Sequence, residues 1–117
     1  MEHPAFRISV VVPAHNAAAF LERCVDSVRG QTRSDWELLI VENGSTDDTR
    51  QIAARLEQED ERIRLLTSEK GVSHARNEGV RQATGEYVTF LDADDWLLPD
   101  AFVFLQRRYG STPPAIS

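Results

Sequence analysis

The sequence predicts an α/β fold, a three-layer α/β/α arrangement built on a mostly parallel, Rossmann-like sheet. Residues 7–12, 36–41, 63–66 and 87–91 are short, nearly continuous apolar runs. Such runs read as strands buried on both faces, the habit of parallel sheets. The stretches between them place apolar residues at helical spacing, and a strand–helix alternation implies right-handed parallel crossovers. Each run also exits into a polar segment: His15-Asn16, Glu42-Asn43, Ser68-Glu69-Lys70 and Asp92-Ala-Asp94. In a doubly wound sheet, ligands bind outside the carboxyl ends of the strands, at the point where the strand order reverses. The expected order 3-2-1-4 puts that point between the first and fourth strands, so that His15, Asn43 and the aspartates line one cleft.

Taken in order, the first strand holds Ile8, Val10, Val11 and Val12, and Pro13 is expected to end it because proline cannot donate to a ladder. A helix follows, with Phe20, Leu21, Cys24, Val25 and Val28 on one apolar stripe and Gly30 as its C′ residue. Cys24 reads there as a small buried hydrophobe. The second strand exits through Asn43-Gly44, and Ser45 or Asp47 is placed to cap a helix reaching about Glu59. After the third strand, a helix over residues 72–83 carries a stripe of Val72, Ala75, Gly79, Val80 and Ala83, with Arg76 and Asn77 beside it. Gly85 breaks the chain before the fourth strand, and Pro99 suits the first turn of a last helix over residues 99–109. Residues 1–109 read as one domain part and 110–117 as an extended tail.

Net charge is −6, which argues against a nucleic-acid groove or an anionic membrane surface as partner. No stretch approaches the ~20 apolar residues of a membrane span, and residues 1–6 are too short and polar for a signal peptide. The single Cys24 cannot form an internal disulfide, consistent with a reducing, cytoplasmic setting.

The most informative stretch is Glu86-Tyr-Val-Thr-Phe-Leu-Asp-Ala-Asp-Asp-Trp96, a strand that stops in Asp92, Asp94 and Asp95. Carboxylates gathered there repel one another unless a cation sits among them, and oxygen ligands suit Mg²⁺ or Mn²⁺, which can also hold phosphate oxygens. The plain alternative is a solvated turn or an N-cap. The first strand leads into Pro13-Ala-His-Asn-Ala-Ala18, which has neither the glycines of a dinucleotide site nor a Walker loop. What remains is a diphosphate-linked substrate held by a divalent ion.

Four collinear stretches then carry a resemblance: Ile8-Ser-Val-Val-Val-Pro-Ala-His-Asn16, Leu39-Ile-Val-Glu-Asn-Gly-Ser-Thr-Asp47, Gly71-Val-Ser-His-Ala-Arg-Asn77 and Gly85-Glu-Tyr-Val-Thr-Phe-Leu-Asp-Ala-Asp-Asp95. Over residues 7–104 the chain resembles the nucleotide-sugar half of family 2 glycosyltransferases, inverting enzymes of the GT-A fold. The resemblance implies that Pro13, Ala14, His15 and Asn16 meet base and ribose, with His15 where the family often stacks an aromatic ring. It implies that Glu42 and Asn43 reach the base or ribose, and that Arg76 faces the phosphates or braces the acidic loop. Asp92 and Ala93 would contact the sugar nucleotide, and Asp94, with Asp92, would hold Mn²⁺ or Mg²⁺. Asp95 is expected to cap the following segment, and Trp96 to pack in the core or at the rim.

The implied donor is a nucleotide-diphosphate sugar, UDP-linked in the first instance. Asn43 departs from the Asp frequent in the family, and an amide can donate as well as accept. The implied acceptor is an unidentified glycan or lipid-linked sugar of cell-surface polysaccharide synthesis, met in the cytoplasm or at the inner face of the membrane. The family's catalytic base lies downstream, so it is expected beyond Ser117, and this chain is expected to be the donor-binding half of a longer enzyme. The alternative is a naturally short, non-catalytic binding module. A sheet of this extent is also expected to self-associate through an uncovered edge.

Overall fold

The computed structural model describes residues 7–103 and Leu105. In chain order it contains β1 (Ile8–Ala14), α1 (Leu21–Arg29), β2 (Trp36–Glu42), α2 (Thr49–Glu59), β3 (Ile63–Thr67), α3 (Val72–Gln82) and β4 (Tyr87–Phe90). All strand pairs are parallel, in the expected order β3-β2-β1-β4. No helix is long and apolar enough to cross a membrane among these residues.

Alternation along the central strands makes the three layers. Ile8, Val10 and Val12 of β1 and Trp36, Leu38 and Ile40 of β2 pack against Leu21, Cys24, Val25 and Val28 of α1 and Ala53 and Leu56 of α2. The intervening Val11, Leu39 and Val41 meet Ala75 of α3 on the other face. That second layer is seated by small residues. A Cβ at Gly79 would lie 2.3 Å from Val11 Cγ1, so α3 presses its backbone onto β1. The apolar stripe expected for α3 is correspondingly narrower than its periodicity suggests: Ala75 and Gly79 are buried, while Val72 and Val80 flank the contact and are exposed.

Several local expectations are corrected. Pro13 does not end β1, which continues to Ala14 in register with Glu42. The Ala14 carbonyl accepts from Asn43 N on the β2 side, whereas the Val11 carbonyl accepts from Leu91 N on the β4 side. By alternation Pro13 turns its donorless nitrogen toward β4, beyond the end of the β1–β4 ladder, where no bond is lost. Gly30 follows α1 with φ −83°, so it ends the helix without using the left-handed region. Phe20 leaves the core stripe and is 45% exposed. Ala101, Phe102, Val103 and Leu105 are helical, but Pro99 lies in the preceding turn. Asp100 shares that turn, and residues 104 and 106–109 of the expected helix, with the 110–117 tail, lie outside the described residues.

The amino ends of β1 and β2 hold a buried polar knot that periodicity does not announce. Glu37, 3% exposed, accepts from Ser9 Oγ at 2.6 Å, Thr84 N at 2.6 Å and Thr84 Oγ1 at 2.9 Å. Gly85 N donates to Ser9 Oγ at 2.8 Å, and Arg7 and Arg64 stand 3.8 Å from the second carboxylate oxygen. The knot thus ties both central strands to the turn that leads into β4. Burial works to raise the Glu37 pKa, but the Ser9 and Thr84 donors and the charge of Arg7 outweigh it and hold the carboxyl below its ordinary value.

Glu37→Ala should therefore cost roughly 3 kcal/mol of unfolding free energy near neutral pH, because it strands buried donors. A depressed folded-state pKa gives stability that is complete above the unfolded-state value and is lost as pH falls through the folded-state value. The gap in urea midpoint between the two proteins should accordingly narrow in acid.

Candidate functional site

Beyond the carboxyl ends of the strands lies a cleft of about 430 Å³. The exit of β1 supplies Pro13, His15, Asn16 and Ala17, with Phe20 just ahead of α1. The exit of β2 supplies Asn43, the β3–α3 connection supplies Lys70, Gly71 and Val72, and the segment after β4 supplies Asp92, Ala93 and Asp94. The sequence places His15, Asn43 and the aspartates on one cleft, and they meet there.

The loops that form the floor are fastened to one another. Asn16 takes φ 48°, a left-handed conformation that asparagine tolerates. Its N–H donates to Ser45 Oγ at 2.9 Å and its Oδ1 accepts from Thr46 N at 2.8 Å. Ala17 N donates to Thr49 Oγ1 at 2.8 Å, and Ala18 N to Asp47 Oδ2 at 3.2 Å. Ser45 therefore braces the β1 exit and does not cap α2, while Asp47 accepts from Thr49 N at 2.9 Å in the first turn of that helix. The Thr49 hydroxyl, aided by the Thr49 and Ala18 N–H groups, keeps the Asp47 carboxyl below the usual carboxylate range.

His15 Nδ1 lies 2.8 Å from the Asn43 carbonyl. A carbonyl can only accept, so Nδ1 is the donor, and in the neutral ring Nε2 is then the acceptor. The Asn43 side chain, 3% exposed, is spent on the backbone. Its Nδ2 donates to the Ala14 carbonyl at 3.2 Å and the Val41 carbonyl at 3.4 Å, and its Oδ1 accepts from Gly71 N at 3.1 Å. Gly71, at φ 125°, is the residue that lets the chain turn from β3 into α3 with that N–H aimed at Asn43.

Ala14 and Glu42 do not line the cleft. Ala14 is fully buried, and Glu42, 6% exposed, accepts from Ser45 N at 2.5 Å. Arg76 also stands outside the lining: it lies beside the acidic loop, 4.0 Å from Asp92 and 5.6 Å over the Phe90 ring.

That loop leaves the sheet with its alternation intact. Leu91 and Ala93 are buried, whereas Asp92, Asp94 and Asp95 are exposed. Asp95 N donates to the Asp92 carbonyl at 2.9 Å, closing a tight turn. One carboxylate oxygen from each aspartate lies within 4.8 Å of the others, so Asp95 stands with the pair the sequence singles out. The field of this cluster reaches α1: burial, then Asp95, Asp94 and Asp92, push the Cys24 thiol up to about 12. Trp96 is exposed at the rim rather than in the core, with the Arg23 guanidinium 4.2 Å from its ring centre.

Phe20, Lys70 and Val72 are cleft residues that sequence reasoning passed over. Helical spacing assigns Phe20 and Val72 to buried stripes because periodicity does not distinguish a core position from a first-turn position facing a cleft. Lys70 carried a usable signal, since it is the cation immediately before Gly71 in a strand exit.

Replacing Asn43 with Asp would set a carboxylate against the Ala14 and Val41 carbonyls. Asn43→Asp should cost roughly 2 kcal/mol. The buried carboxyl is expected to titrate above its unfolded-state value, so the loss should deepen as pH rises from about 4 to about 7, which urea midpoints at both pH values would read.

Comparison with known proteins agrees with this geometry. The profile of glycosyl transferase family 2 matches residues 9–116. The chain is 40% identical over 103 residues to the glycosyltransferase GlyA of Streptococcus pneumoniae, a match covering 87% of this chain and 15% of that protein. The S. aureus TarS structure in complex with UDP superposes with a TM-score of 0.78 at 25% identity, covering 86% of this chain and 31% of that one. The mannosyltransferase PcManGT from Pyrobaculum calidifontis, in complex with GDP-Man and Mn²⁺, gives 0.76 at 28% identity, covering 91% and 32%. The chain spans between 11% and 36% of the length of the curated relatives it matches. With a parallel sheet in GT-A order and a profile match over nearly its whole length, the chain belongs to glycosyl transferase family 2.

Proposed function

We propose that this chain binds the nucleotide-diphosphate sugar of an inverting glycosyltransferase, with a divalent cation at the acidic loop and a glycan or lipid-linked acceptor. The observation that carries the reading is the convergence of the carboxylate cluster with the β1, β2 and β3 exits on one cleft. The donor set fits the ion: it is made of exposed carboxylate oxygens with no sulfur or imidazole, which suits Mg²⁺ or Mn²⁺. Asp94 and Asp92 are the proposed ligands, with Asp95 within reach. When bound, the ion would neutralise charge on the departing diphosphate.

The chain's own residues do the rest. Pro13, Ala17, Phe20 and Val72 offer apolar wall for the base and ribose. His15 Nε2, fixed as an acceptor by the bond to Asn43, can receive a ribose or base donor. Lys70 makes no ion pair among the described residues and can meet phosphate charge without weakening an internal contact. Asn43 and Asn16 contribute by holding the floor in shape, and Arg76 by restraining Asp92. UDP is the proposed nucleotide, since TarS is similar to this chain and was solved with it.

Titrating UDP into the chain with and without Mn²⁺, by calorimetry and thermal unfolding, tests this directly. At UDP about 100 times its dissociation constant, roughly 2.7 kcal/mol of added stability is expected. The gain should require Mn²⁺ and vanish in Asp94→Ala. Equal stabilisation without the ion would refute the metal assignment, and no response to UDP or GDP would refute the donor reading.

A further inference from the structure

The acidic loop is fastened along one side of α1 and the turn after it by a run of polar contacts. Cys24 Sγ lies 3.7 Å from the Asp92 carbonyl. Ser27 Oγ donates to the Cys24 carbonyl at 2.6 Å and accepts from Leu97 N at 3.0 Å. Gln31, 7% exposed, uses its whole amide: Nε2 donates to the Leu98 carbonyl at 2.7 Å and the Ser27 carbonyl at 3.1 Å, and Oε1 accepts from Phe102 N at 3.0 Å. Thr32 N then donates to the Pro99 carbonyl at 3.2 Å, and Thr32 Oγ1 to Asp100 at 3.2 Å.

Residues 91–98 have no ladder partner past Leu91 N, so their backbone groups must find others. Those others are Cys24 and Ser27, three apart on one side of α1, and Gln31, just past its end. We infer that Ser27 and Gln31 are positioning residues: by holding residues 92–102 against α1 they set the spacing of the Asp92, Asp94 and Asp95 carboxylates, and so the affinity of the divalent ion. Three like charges within 4.8 Å repel, and a free loop would spread them. The seam supplies the restraint, so the ion need not supply all of it.

The inference rests on the metal reading above and is tested with Mn²⁺ alone, followed by loss of its free-ion spin-resonance signal. Ser27→Ala and Gln31→Leu should each weaken Mn²⁺ binding about tenfold or more, the scale seen when partners that orient metal ligands are lost. Ser27→Thr keeps the hydroxyl and should keep the affinity. Amide exchange provides the control: Leu97 should exchange faster in Ser27→Ala and Phe102 in Gln31→Leu, with β1 and β2 as protected as before. Unchanged Mn²⁺ affinity in both variants overturns the inference alone, even where exchange quickens, because the seam would then be packing only. No Mn²⁺ binding by the unaltered chain overturns the metal reading and the inference with it.

Discussion

Double-sided burial of the two central strands is the constraint on which the molecule depends. Every residue of β2 is buried, and every residue of β1 except the half-buried Pro13. Strands enclosed in this way carry no function along their length, because any polar side chain there must be satisfied internally. Glu37 and Ser9 show what that demands: a closed set of donors from Thr84 and Gly85. Chemistry is displaced to the strand ends. Parallel strands put all their carboxyl ends on one edge, and the 3-2-1-4 order opens a gap between the loops there.

The gap would be of little use if the loops moved independently. The β1 exit is held by Ser45, Thr46 and Asp47 of the β2–α2 connection and by Thr49 at the start of α2. Asn43 joins three elements at once, through the Ala14 carbonyl, the Val41 carbonyl and Gly71 N. On the other side α1 holds the acidic loop. The loops around the cleft are thus fastened to one another by the protein's own hydrogen bonds. A preformed cleft loses less entropy when a flexible diphosphate binds.

How far the sequence reveals this follows from which interactions are periodic. The strands, their order and the cleft were legible because hydrophobic period and the polarity of strand exits are local signals. The acidic cluster was legible because three carboxylates crowd into four residues. The backbone bonds of Asn43 and Asn16 were not, because a polar residue at a strand exit reads the same whether it faces a ligand or a backbone carbonyl. Pro13 misled for a related reason: the rule against proline in a strand depends on which side its nitrogen faces, and neighbours at residues 87–91 decide that. Nothing in the local pattern singles out Ser27 and Gln31, whose partners at residues 97–102 are brought beside them only by the fold.

The same distinction bears on how an acidic protein would hold the anion proposed for it. With a net charge of −6 the chain does not attract diphosphate through its overall field. A solution must be local, and two local devices of opposite sign lie on one cleft. Lys70 supplies positive charge that no internal carboxylate neutralises among the described residues, and in the proposed reading the aspartate turn would hold a cation able to meet phosphate. In that reading the first would act on phosphate directly, and the second only through an ion, with a strength set by how rigidly the carboxylates are held. Rigidity there comes from neutral contacts: the Ser27 hydroxyl, the Gln31 amide and backbone carbonyls. A cationic brace across the cluster would compete with the ion, and among the described residues Arg76 only approaches Asp92 to 4.0 Å, with both side chains exposed. Neutral hydrogen bonds can fix the loop without cancelling the charge that makes it useful.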